Sequence, residues 1–112
     1  MPGRLPTGLW VTAHVARCSS QGMPVVVVRR GDPHRGVVLV KQHRIGAGFR
    51  VVTQARDLDG RLTWQPVRDG ALLSEADADA FIGRQVDYDP DLWVIEIEMR
   101  PGDDDVFQGP VV

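Results

Sequence analysis

The chain has 112 residues, 43% hydrophobic and 25% charged, with a formal net charge of −2 and one cysteine. That length and composition carry one ordinary globular core and exclude wholesale disorder. Cys18 alone excludes an internal disulfide and a cysteine-built zinc site, which favours a reducing, cytoplasmic setting. Thr12, His14 and Arg17 break the N-terminal apolar run, and nowhere do ~20 apolar residues follow one another, so neither a secretory leader nor a membrane span is expected.

Thr7 suits the N-cap of a first helix over about 8–21. Leu9, Ala13 and Ala16 form one apolar row and Val11, Val15 and Cys18 another, leaving Trp10, His14 and Arg17 as an outward stripe. Gly22 fits the left-handed position after the helix, and Pro24 forbids its continuation. Val25 to Arg30 follows, and its four consecutive valines predict a strand buried on both faces. The turn-rich GDPHRG, 31–36, leads to strands at Val37 to Arg44 and Phe49 to Arg56. Asp59-Gly60 then makes a hairpin into Arg61 to Val67, where Pro66 marks an edge. In the third strand Phe49, Val51, Thr53 and Ala55 share one face; Arg50, Val52, Gln54 and Arg56 share the other, with the arginines and Gln54 expected toward water.

Ser74-Glu75-Ala76-Asp77 has the form of a capping box, opening a second helix to about Val86 that turns Ala78, Phe81 and Ile82 to the core. Trp93, Ile95, Ile97 and Met99 then alternate with Glu96, Glu98 and Arg100, the pattern of a half-buried strand. The fold expected is α+β: a helix, a four-stranded antiparallel meander, a helix and a strand, with both helices on one face of the sheet. Residues 1–100 form one domain in this reading, and 101–112 a mobile acidic tail.

Charge is divided along the chain. Residues 1–56 hold nine Arg or Lys against one acid, Asp32; residues 57–112 hold four Arg against fourteen acids, so the halves carry +8 and −10. Such a split fits a basic binding half, mutual neutralisation within the fold, or head-to-tail association of two copies.

The segments LPTGLWV, VVVVRRGDPHRGVVLVKQHRI, RDLDGRLTW and DPDLWVIEIE together resemble a family of short alphaproteobacterial proteins of unknown function. The resemblance spans nearly the whole chain and is most specific over Asp89 to Glu98. It implies a bacterial, single-domain, non-secreted protein and transfers no functional residue.

No motif in the chain carries chemistry outright. Asp87, Asp89, Asp91 and Glu98 imitate an EF-hand loop, but Leu92 stands where its glycine must be. The element order is similar to that of metal-dependent nucleases, yet Leu39, not an acid, lies two residues before the only lysine, Lys41. His14, His34 and His43 lack metal-ligand spacing, and Cys18 sits on an apolar row as a small hydrophobe. No cofactor is expected.

The first functional expectation is a non-catalytic protein-binding module, with a protein partner or itself, using Trp10, His14 and Arg17. The alternative is a nucleic-acid-binding module whose basic face gathers Arg29, Arg30, Lys41, Arg44, Arg50 and Arg56. A divalent-metal-dependent phosphodiesterase comes third, and needs carboxylates that only the fold could assemble.

Overall fold

The computed structural model describes residues 5–111. Residues 1–4 of the stretch read for a leader, and residue 112 of the expected tail, lie outside them. The elements are α1 (Thr7–Ser20), β1 (Val25–Arg29), β2 (Val38–Arg44), β3 (Gly48–Arg56), β4 (Leu62–Pro66), a 3-10 turn (Val67–Gly70), α2 (Glu75–Tyr88), β5 (Trp93–Met99) and β6 (Gly109–Pro110). Ser74 caps α2 as expected, its Oγ accepting from the amide of Asp77 at 3.1 Å. Thr7 does not cap α1. Pro6 holds that position, and the Thr7 hydroxyl donates instead to the Gly36 carbonyl at 2.8 Å.

The strands form one mixed six-stranded sheet in the order β1-β5-β2-β3-β4-β6. The hairpins β2-β3 and β3-β4 are antiparallel as expected. The meander does not extend to β1, because β5 inserts between β1 and β2 and runs parallel to β2. β5 and β2 carry apolar side chains on both faces, so the centre of the sheet removes more apolar surface from water than an edge would.

That two-sided pattern also separates the helices. Val11 and Cys18 of α1 pack with Val38, Val40, Val52, Trp93, Ile95 and Ile97. Ala78 of α2 packs with Leu39, Phe49, Val51, Leu92 and Val94. Residues alternate between these two clusters along β2, β3 and β5, so α1 and α2 cover opposite faces. The placement of both helices on one face is corrected accordingly.

The valine run is corrected as well. β1 is an edge strand, and Val26, Val27 and Val28 are 61%, 37% and 58% exposed. Its pairing with β5 shifts register between Val27 and Arg29, a bulge at Val28. The link from β1 to β2 crosses the start of β5 at very close range. A Cβ on Gly31 would lie 2.0 Å from the Asp91 carbonyl oxygen, and one on Gly36 2.3 Å from it, so only glycine fits. Trp93 Nε1 donates to the Asp32 carbonyl at 2.7 Å and fastens this link to the sheet.

The C-terminal segment is not an unattached tail. Phe107 is 1% exposed within the α1-side core. β6 pairs with β4, and the Val111 amide donates to the Leu62 carbonyl at 2.9 Å. An apolar Phe among acids is enough to draw the segment back, because its burial outweighs the ordering of a few polar neighbours.

Candidate functional site

The stripe expected to face outward is mostly turned inward. Arg17 is exposed and Trp10 half-buried, but His14 is only 4% exposed. Its ring stacks on Trp10 with centroids 4.6 Å apart and meets the Phe107 ring edge-on at 5.0 Å. Arg17 Nη2 lies 2.6 Å from His14 Nδ1. A guanidinium only donates, so Nδ1 must accept and the neutral ring's proton sits on Nε2. Desolvation first, then the Arg17 charge, lowers the His14 pKa to about 4. Nε2 is buried without a hydrogen-bond partner among the described residues. His14 is thus a neutral packing residue, and the stripe leaves Arg17 and part of Trp10 for contact.

The basic residues do not share one face. Lys41 is 5% exposed and lies on the α2 side. Its Nζ is 2.8 Å from Glu75, 2.8 Å from Asp79 and 3.5 Å from Glu96, and 4.9 Å from the centre of the Phe49 ring. Burial opposes its charge, but the bonds to Asp79 and Glu75 and the field of Glu96 prevail and hold its pKa above the ordinary lysine value.

Arg44 and Arg50 turn the other way, toward Asp105. Arg44 Nη2 donates to Asp105 Oδ2 at 3.0 Å, and Arg50 Nη1 lies 3.6 Å from the same oxygen. Gln42 Nε2 and the Phe107 amide both donate to Asp105 Oδ1, at 3.0 and 2.9 Å. Arg50 therefore does not face open water; the C-terminal segment covers it. Arg29 donates to the Pro90 carbonyl at 2.9 Å, Arg30 lies over the Trp93 ring, and Arg56 donates to the Gly60 carbonyl at 2.7 Å.

Three carboxylates thus meet, but around an ammonium. Among the described residues no group of three or more His, Cys, Asp or Glu is arranged to hold a metal. Cys18 is buried, and desolvation raises its pKa above the ordinary thiol value despite the opposing Arg17 charge, so the thiol form is favoured there. No helix among the described residues is long and apolar enough to cross a membrane.

Two features remained hidden in the sequence. One is the open edge of β1 with its exposed valines. The other is a cavity of about 650 Å³ between the start of α1, the 34–37 link, the end of β3 and the start of β4. Leu5, Trp10, Val37, Leu62 and Val111 supply apolar wall, and Gln54, Arg35 and Arg56 supply polar groups. Its parts come from five separated stretches of chain, so no local motif announces it.

A family model described as "Protein of unknown function (DUF1491)" matches residues 5–106. The chain belongs to the DUF1491 family. The resemblance read in its four segments is thereby borne out. A crystal structure of a DUF1491 protein from Caulobacter crescentus CB15 is 40% identical, covers 89% of this chain and 92% of its own, and superposes with a TM-score of 0.78. An NMR structure of a DUF1491 protein from the same organism is 38% identical over 98% and 99% of the chains, with a TM-score of 0.79. A solution structure from A. tumefaciens, 21% identical over 94% of this chain and 92% of its own, shares the fold with a TM-score of 0.77. No curated protein matches the chain. The DUF1491 fold therefore frames the two features above without assigning a role to either.

Proposed function

We propose that this DUF1491 protein is a non-catalytic protein-binding module whose partner is a second copy of itself, met along the open edge of β1. One observation carries the reading: three consecutive valines stand exposed on an edge with unpaired backbone groups. Natural sheets usually blunt such an edge with charge, proline or brevity. The opposite edge follows that habit, since β6 is two residues long and ends in Pro110. On β1 the bulge at Val28 and Arg29 at the strand end are set against three exposed valines in its middle.

Charge favours a second copy over an unrelated strand. In antiparallel pairing about Val27, the exposed Arg30 of one chain approaches the Pro24 end of the other. Exposed Glu98 lies there, its amide donating to the Pro24 carbonyl at 3.1 Å. Valine would meet valine at the centre, with opposite charges at both ends. A five-residue strand buries little, so the dimer is weak and reversible.

The nucleic-acid alternative has less support. Lys41 and the Arg44–Arg50 pair lie on opposite faces and are bonded to carboxylates, so they form no continuous phosphate track. Phosphodiesterase activity likewise lacks a metal-holding group among the described residues.

Sedimentation equilibrium from roughly micromolar to millimolar protein tests the proposal. A monomer–dimer equilibrium is expected, abolished by Val26→Lys with Val28→Lys and unchanged by Leu58→Lys at a fully exposed site. A monomer throughout the range, or a dimer indifferent to the β1 lysines, overturns it.

A further inference from the structure

We propose that the cavity at the start of α1 binds a small organic anion with an apolar body. This inference does not rest on the dimer. The cavity volume of about 650 Å³ falls in the range of small-ligand sites. Leu5, Trp10, Val37, Leu62 and Val111 form its apolar wall.

The polar lining selects the sign of the ligand. The only fully charged side chains among the described lining residues are Arg35 and Arg56, both cationic. Neither makes an ion pair among the described residues. Beside Arg56 in sequence, Asp57 Oδ1 is engaged by the amides of Asp59 and Arg61, both at 2.9 Å; three residues before Arg35, Asp32 Oδ1 is engaged by the amides of His34 and Arg35 at 2.8 and 2.9 Å. The two amide bonds to Asp32, more than the charges nearby, hold its carboxyl below the ordinary pKa. It thus stays anionic and anchored to the link while the Arg35 guanidinium lines the cavity. Gln54 Oε1 accepts from the Val38 amide at 2.9 Å. That fixes the side chain and leaves its amide Nε2 as a donor. A carboxylate, sulfonate or phosphate would find two guanidiniums and an amide donor there, and guanidiniums fit planar or tetrahedral oxyanions bidentately.

The site is also built in advance. The 31–36 link is clamped by the Trp93–Asp32 bond and by the Thr7–Gly36 bond at 2.7 and 2.8 Å. Little ordering is left for the ligand to impose, which favours affinity.

The probe is 8-anilinonaphthalene-1-sulfonate, a flat apolar body with one anionic head, titrated into the full chain by calorimetry and by amide chemical-shift mapping. One saturable site is expected, with shifts over residues 34–37 and 54–56. Arg35→Gln with Arg56→Gln should weaken it at least about tenfold, the loss of about 1.4 kcal/mol expected for charge-assisted contacts. Both arginines are exposed, so that variant should fold. N-phenyl-1-naphthylamine, the same body without the sulfonate, should bind much more weakly. Four results overturn the proposal: no saturable binding, shifts confined to the β1 valines, affinity indifferent to both arginines, or equal binding of the uncharged analogue.

Discussion

His14 sits where only its neutral form is comfortable. Trp10 and Phe107 enclose the ring, and Arg17 places a positive charge at Nδ1. Its pKa, about 4 in the fold against an ordinary 6.5, makes stability depend on pH. As pH falls below 6.5 the unfolded chain takes up the proton first. The contribution of His14, up to about 3 kcal/mol, is therefore present above pH 6.5 and is lost between about 6.5 and 4. Urea unfolding of the parent and of His14→Phe across that range should show the parent losing stability with a slope that the variant lacks. The residue was legible in the sequence, but its exposure was not. Helical periodicity placed it on the polar stripe, and burial came from Phe107, some ninety residues away.

The C-terminal segment is the element whose role changed most between sequence and fold. Its composition of glycine, aspartate and proline reads as solvated chain, and two of its residues contradict that reading. Phe107 meets Trp64 edge-on with centroids 5.1 Å apart. Asp105, its side chain 5% exposed, gathers Gln42, Arg44, Arg50 and the Phe107 amide. Phe107→Ala should cost about 3–5 kcal/mol in denaturant unfolding, whereas the same change in a loose tail would stay within about 0.5 kcal/mol. Most other elements were legible from local signals. The Ser74 cap, the Asp59-Gly60 hairpin and the stop at Gly22 rest on residues close in sequence, and each is present.

At the scale of the molecule, the +8 and −10 halves neutralise each other in the fold at least in part. Lys41 from the basic half is held by Glu75, Asp79 and Glu96 from the acidic half, and Arg44 and Arg50 by Asp105. Removing a buried cation from such a group leaves its carboxylates facing one another. Lys41→Met should therefore cost about 3 kcal/mol, the low end for a broken buried pair because Glu75 and Asp79 stay half solvated. Arg56→Met, from the same basic half but exposed, should stay within about 0.5 kcal/mol. Equal losses at the two positions would mean that the pairing around Lys41 contributes nothing.

The sequence by itself determined the class of fold, the family, and the position and type of both helices and of the five longer strands. Those rest on apolar periodicity, caps and turn residues, which act within a few residues of one another. Only the tertiary structure decided that β5 enters the sheet between β1 and β2, that the helices lie on opposite faces, and that the valine run is an edge. A run of apolar residues states that surface is to be buried or shared, but not which neighbour does it. That choice was made by β5, which buries Trp93, Ile95, Ile97 and Met99, larger side chains than the valines of β1, in the α1-side core and Val94 in the α2-side core, and leaves β1 outside with its valines exposed.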